Sequence, residues 1–473
     1  MPNHSLFKEK RSTFVLQNSN KTKTTMKRVF LAPFIILLLA TGCAVKNAHS
    51  KQEEPAQLAQ IGETEYDKYF TGETMRFDFQ HSGNSSEEHY SYDRMKREGE
   101  WAGSRKALIS PFGYGEQMFR IIDTEENKII YQNNYCTLFN EWQTTAEAQT
   151  TTRSYPEGVI FPCPKRNFTI EIFARNKVSK VFEKKFSYNP NINDYNIEPY
   201  KKEYESVDIH IGGTIANSLD IVLLPDGFTA EEKDKFLDAC KAWQDALFGY
   251  APFTNNKNRI NIRAIWAPSK ESGISVPGKG VWKETLLDCR FYTLGSERYQ
   301  MTSNLQKVRD VAADAPYESI FILTNSDKYG GGGIYNFYGL GSAGKTGKTG
   351  EVYVHEFGHS LMGLGDEYVE KGNTVSALYP AGKEPWEANL TTFVNFNGKW
   401  EQMIDKGTPV PTIVNDSLLA LPDSQWPVGA YEGGGYLEKG IYRPWPKCMM
   451  NQLYNFCPVC CAAIEKYLDY ICK

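Results

Sequence analysis

One run constrains this chain more than any other: His355-Glu356-Phe357-Gly358-His359-Ser360-Leu361-Met362-Gly363-Leu364-Gly365-Asp366-Glu367-Tyr368. Residues 355 and 359 stand one helical turn apart, so a helix turns both imidazoles to one side, where they can share an ion. The apolar approach Val352–Val354 suits a helix that enters a core. Gly363 and Gly365 then permit a sharp exit, because glycine adopts positive φ freely. Imidazole nitrogen suits zinc, and a catalytic zinc needs three protein ligands and one position for water. Glu356, beside the first imidazole, can reach that water as general base, and zinc lowers the water pKa to about 7.

The third ligand follows from a shortage of imidazoles. The chain has seven histidines. His4 and His49 lie near the N-terminus, His81 and His89 in a strand-rich stretch, and His210 is the sole other histidine in the α/β part that follows. A carboxylate is therefore favoured, and the glycine exit can swing Asp366 or Glu367 back to the ion, with Asp366 preferred.

The same run resembles the immunoglobulin-A-type zinc endopeptidase family, whose motif has Gly before the second His and ends Leu-x-Asp-Glu-Tyr. Gly358, Leu364, Asp366, Glu367 and Tyr368 stand at the matching places. Leu223-Leu224-Pro225-Asp226-Gly227-Phe228-Thr229 and Gly440-Ile441-Tyr442-Arg443-Pro444 ahead of Cys448-Met449-Met450 are similar too, so the resemblance spans roughly 205–473. It implies one catalytic zinc held by His355, His359 and Asp366, with Glu356 as the base. It also implies a metzincin-like fold with a methionine turn under the metal, for which Met450 is the candidate. One departure keeps Glu367 open: metzincins space the second and third ligands six residues apart, whereas His359 to Asp366 is seven.

Around that run the chain changes character. Residues 1–42 read as a secretory leader with an upstream extension. Lys27 and Arg28 precede the apolar run Val29–Ala40, which is too short to span a bilayer, and Ala40-Thr41-Gly42 follows. Cys43 after it resembles the lipidated cysteine of bacterial lipoproteins, predicting an exported protein anchored at the outer membrane or cell surface. Removing 1–42 leaves 46 basic against 56 acidic residues, a balance near −10 that favours solubility. No long Lys/Arg run occurs, which excludes a dedicated nucleic-acid binder.

Residues 43–63 read as a tether. Residues 64–200 show short runs such as Met75–Phe79, Gln117–Ile122, Lys128–Gln132 and Phe168–Ala174, predicting an antiparallel β-sandwich. Residues 201–473 alternate strands and helices, predicting an α/β catalytic domain with a mostly parallel sheet and a loop-rich C-terminal half. In that domain Thr229 and Glu232 form a capping box ahead of a Phe236, Cys240, Trp243 and Leu247 stripe.

Three further features invite chemistry. Cys448, Cys457, Cys460, Cys461 and Cys472 include one Cys-x-x-Cys pair, but no second pair accompanies it, so disulfides are expected over a zinc knot. Gly339 to Thr346 matches the phosphate-loop pattern, yet Gly347 and Gly350 make a poor helix start, so a surface loop is expected. Gly330–Gly333 reads as a bulge or turn leading into Ile334–Tyr338, and the metzincin-like resemblance implies that such a segment lies along the cleft, where an exposed edge strand can pair with substrate backbone.

The composite expectation is an exported, lipid-anchored zinc metalloendopeptidase acting on protein or glycoprotein. Its membrane contact is the Cys43 anchor alone. The rival of another class is a surface lipoprotein that binds glycan or protein with a structural or degenerate metal site.

Overall fold

The computed structural model describes residues 58–344, 347–370 and 379–473. The expected leader, Cys43 and most of the tether lie outside the described residues, as do Lys345 and Thr346. Among the described residues no helix is long and apolar enough to cross a membrane.

The N-terminal part runs α1 (Tyr66–Tyr69), β1 (Phe70–Gly83), β2 (Glu88–Glu100), β3 (Gln117–Asp123), β4 (Lys128–Tyr135), α2 (Leu138–Trp142), β5 (Arg153–Pro164), β6 (Phe168–Arg175) and β7 (Phe182–Tyr188). These strands form two antiparallel sheets, ordered β2-β1-β5 and β4-β3-β6-β7. Met75, Phe77 and Phe79 alternate along β1 and meet Phe119 and Ile121 of β3 and Phe161 of β5 in one buried core. The opposite face of β1 is covered too. There buried Arg76 donates to Asp78, to Glu98 at 2.9 Å and to Asp310 at 2.7 Å. A buried guanidinium survives only with such partners, and Asp310 comes from the second part of the chain.

That second part holds β8 (Glu205–Ile211), β9 (Leu219–Asp226), α3 (Lys233–Phe248), β10 (Ile260–Trp266), α4 (Leu305–Ala312), β11 (Ser319–Thr324), β12 (Gly331–Ile334), β13 (Tyr338–Ser342) and α5 (Thr349–Met362). Then come α6 (Asp416–Leu419), the hairpin β14 (Tyr431–Gly434) and β15 (Leu437–Arg443), α7 (Met449–Gln452) and α8 (Pro458–Ile471). The capping box forms as read, Thr229 N–H donating to Glu232 at 3.0 Å, and α3 buries the expected stripe.

The large sheet is mixed, ordered β12-β13-β11-β9-β10-β8. The pairs β13–β11, β11–β9 and β9–β10 are parallel, whereas each outer pair is antiparallel. The expectation of a mostly parallel sheet holds for its centre. At one edge it fails for a physical reason: the short link from β12 to β13 can close only an antiparallel pair.

Two other expectations need correction. Gly339–Ser342 is not a surface loop but buried strand β13. A Cβ at Gly339 would lie 2.7 Å from Ser360 Oγ and 2.9 Å from the Phe321 ring, so glycine lets α5 and Phe321 close on this strand. Nor do disulfides hold the C-terminal half, for all nine cysteines among the described residues are free thiols.

The two parts share a core, in which Phe139 and Trp142 of α2 join Val222 and Leu224 of β9 and Val308 of α4. Contacts merge Gln57–Lys473 into one compact unit.

Candidate metal centre

Helix α5 carries His355, Glu356 and His359, and it packs against β12 and β13 at close range. A Cβ at Gly331 would lie 2.9 Å from the Glu356 side chain, and one at Gly333 would lie 2.3 Å from the Glu356 carbonyl. The glycine run therefore brings the sheet edge against the helix. Beneath the helix, Met450 Sδ sits 3.0 Å from where a Gly358 Cβ would be, which accounts for glycine before His359.

The helix ends where the sequence suggested. Gly363 has φ 61°, and its N–H donates to the His359 carbonyl at 2.8 Å. A side chain there would strike Trp386 at 2.4 Å, so both conformation and space require glycine. The chain then doubles back. His359 Nε2 lies 3.1 Å from His355 Nε2. Asp366 Oδ1 lies 3.2 Å from the first ring and 3.3 Å from the second.

These three separations decide whether the residues fit a metal. A tetrahedron with metal–nitrogen bonds of about 2.0–2.1 Å has edges of roughly 3.3–3.4 Å. Each ring is also oriented for ligation. His355 Nδ1 pairs with the Met449 carbonyl at 2.9 Å and His359 Nδ1 with the Leu364 carbonyl at 2.6 Å. A carbonyl only accepts, so each Nδ1 carries its hydrogen and each Nε2 offers a lone pair. Asp366 Oδ1 is buried and receives no hydrogen bond. Two lone pairs and an anionic oxygen converging without a donor are satisfied by a cation.

The electrostatics agree. Burial opposes a charged His359 ring, yet the negative charge of Asp366 beside it outweighs burial, raising the group to about 9. Asp366 is driven far below the ordinary carboxylate range because the two rings overcome its burial. Glu356 moves the other way: burial raises it despite the neighbouring histidines, which suits a proton acceptor. A Glu356 oxygen and one nitrogen of each ring all lie within 4.8 Å of one another.

Glu367, the alternative third ligand, points elsewhere. It is fully buried and meets Asn389 at 2.9 Å and Cys460 Sγ at 3.4 Å. Of the other described histidines, His81 lies between Glu157 and Glu88, and His210 pairs with the Lys257 carbonyl.

Sequence reasoning missed the groups that aim Asp366. Tyr436 hydroxyl donates to Asp366 Oδ2, leaving Oδ1 free to face the rings. Tyr436 sits in the β14–β15 turn at φ 68°, a conformation rare for a bulky residue, and Gly435 N–H donates to the Asp366 carbonyl at 2.7 Å. Asn389 clamps Gly365 from both sides, accepting from its N–H and donating to its carbonyl at 2.8 Å each. No spacing in the chain announces these partners.

The centre opens into a cleft of about 2330 Å³, lined by Glu141 and Arg175 from the N-terminal part and by Arg298, Gly331, Tyr368 and Tyr436 from the second. Residues 207–421 and 414–468 match the model described as IgA Peptidase M64, and residues 65–187 match Peptidase M64 N-terminus. The chain belongs to the IgA peptidase M64 family. It is accordingly a peptidase, in a family that is generally metal-dependent. A search of the curated proteins finds no match.

Proposed function

We propose that this M64 chain is a zinc metalloendopeptidase, exported and lipid-anchored at Cys43, that hydrolyses peptide bonds of proteins or glycoproteins. The observation that carries the reading is the convergence of His355 Nε2, His359 Nε2 and Asp366 Oδ1 at 3.1–3.3 Å. Two imidazoles and one carboxylate are a donor set for catalytic zinc that leaves a position open. Export and anchoring rest on the basic-apolar-small pattern before Cys43. A metzincin-like kinship is supported by Met450 under the helix and by the acidic third ligand beyond a glycine exit.

A bound zinc supplies Lewis acidity that polarises the scissile carbonyl and acidifies water. Glu356 accepts the proton from the attacking water and returns it to the leaving amine. Its burial keeps the carboxylate basic enough for that transfer. Tyr436 holds Asp366 with Oδ1 presented, and the backbone carbonyls of Met449 and Leu364 fix the two rings. Tyr368 lies edge-on to Tyr436 at 5.2 Å and acts chiefly by packing there.

The cleft far exceeds the roughly 300–1,000 Å³ of a small-ligand pocket, which suits an extended polymer. Strand β12 borders it as the sheet edge. Part of that edge is already taken, since Gln300 N–H donates to the Gly331 carbonyl at 3.1 Å. Substrate backbone would pair with what remains.

Cleavage-site profiling of a proteome with wild-type and Glu356→Ala protein tests the reading. New termini that appear only with the wild type support it. Identical termini with both proteins, across peptides and glycopeptides, sink it.

A further inference from the structure

A second ligand cluster lies on the other side of the same chain segment. Cys448, Cys457, Cys460 and Glu367 are all buried, and their sulfur and carboxylate atoms all lie within 4.8 Å of one another. Cys448 and Cys460 Sγ are 3.7 Å apart. A tetrahedron with metal–sulfur bonds of about 2.3 Å has sulfur–sulfur edges near 3.8 Å. The sulfurs also receive backbone donors: Cys457 N–H reaches Cys448 Sγ and Cys460 N–H reaches Cys457 Sγ, each at 3.4 Å. Cys457 caps the N-terminus of α8, where a thiolate is favoured.

Glu367 supplies an independent observation. Its side chain is 0 % exposed, and Oε2 has no hydrogen-bond partner. Oε1 meets only Asn389 Nδ2 at 2.9 Å and Cys460 Sγ at 3.4 Å. A carboxylate buried beside three thiols is costly unless a cation neutralises it. Ordinary core packing offers no reason to collect three sulfurs and one acid here.

We propose that Cys448, Cys457, Cys460 and Glu367 form a closed, structural zinc site, separate from the open centre on α5. Three thiolates and one carboxylate fill a tetrahedron and leave no position for water, so this site is not catalytic. Binding releases the thiol protons to solvent and changes no oxidation state. Its value to the fold is positional. Glu367 adjoins Asp366, and Cys448 adjoins Met449, whose carbonyl orients His355. Glu367 N–H also donates to the Met450 carbonyl at 2.7 Å. An ion here ties together the two segments that carry the third ligand and the floor of the active centre.

Metal analysis of intact protein expressed with zinc, paired with cobalt exchange, tests the proposal. Two ions per chain are expected in the wild type and one in His355→Ala. Cobalt-loaded His355→Ala should keep intense thiolate-to-cobalt absorption, and Cys460→Ser should lose it. One ion in both wild type and His355→Ala, with that absorption, still supports the buried site while removing zinc from the peptidase reading. A His355→Ala protein with no ion overturns the proposal. So does an intact mass two hydrogens short, with the bridge mapped to Cys448, Cys457 or Cys460.

Discussion

Asp366 and Glu367 are adjacent acids that face opposite surroundings. Asp366 turns one oxygen to two imidazoles at the floor of a wide cleft, with Tyr436 holding the other oxygen. Glu367 turns into a sealed pocket of three sulfurs. Both are buried carboxylates on one extended segment, so sequence position alone does not separate them. What differs is the company. The first pocket is harder, richer in nitrogen and open on one side, as chemistry at a metal demands. The second is softer and closed, as a structural ion demands.

The comparison breaks most readily at Glu356, the proposed base, which only the open pocket has. Glu356→Gln should lower peptide cleavage by about 10³-fold or more while leaving bound metal unchanged, read by turnover and metal analysis together. Asp366→Asn comes next, with a loss of about 10²–10³-fold that accompanies departure of one ion. Its neighbour should behave differently. Glu367→Gln should keep cleavage within about tenfold yet lower Tm by about 5 °C. If Glu367→Gln abolished cleavage and Asp366→Asn spared it, the roles of the two acids would be reversed.

Tyr436→Phe sharpens the same contrast, since it touches only the open pocket. Removing the hydroxyl frees Asp366 to rotate, and a 10–100-fold fall in zinc affinity or activity is expected. A change below threefold would mean that the fold alone aims Asp366.

The smallest effect is one of pH. In protein stripped of metal, His359 titrates at about 9, and below that pH zinc must displace its proton. Apparent zinc affinity, followed by recovery of cleavage, should therefore rise about tenfold per pH unit toward 9 and then level. Affinity that falls as pH rises through this window would contradict the sign.

How much of this was written in the chain depends on how local each feature is. The two imidazoles were legible because a four-residue spacing has one meaning on a helix. The exit was legible because Gly363 is demanded by its own backbone angle. Strand β13 was misread because glycine has no side chain to display the two-residue period, so Gly339 and Gly341 resembled a loop. The C-terminal cysteines were misread for the opposite reason. Cys457 and Cys460 are local, but Cys448 and Glu367 join them only through folding, and a lone Cys-x-x-Cys pair cannot announce such partners. Tyr436 was invisible likewise, standing 70 residues from Asp366 on a hairpin of its own.

The most direct test of the central claim is an anomalous difference map at the zinc edge from crystals of Glu356→Gln protein grown with zinc. The account predicts a peak bounded by His355 Nε2, His359 Nε2 and Asp366 Oδ1, with Glu367 turned away. No density at that point, or a peak there ligated by Glu367 with Asp366 withdrawn, would contradict it.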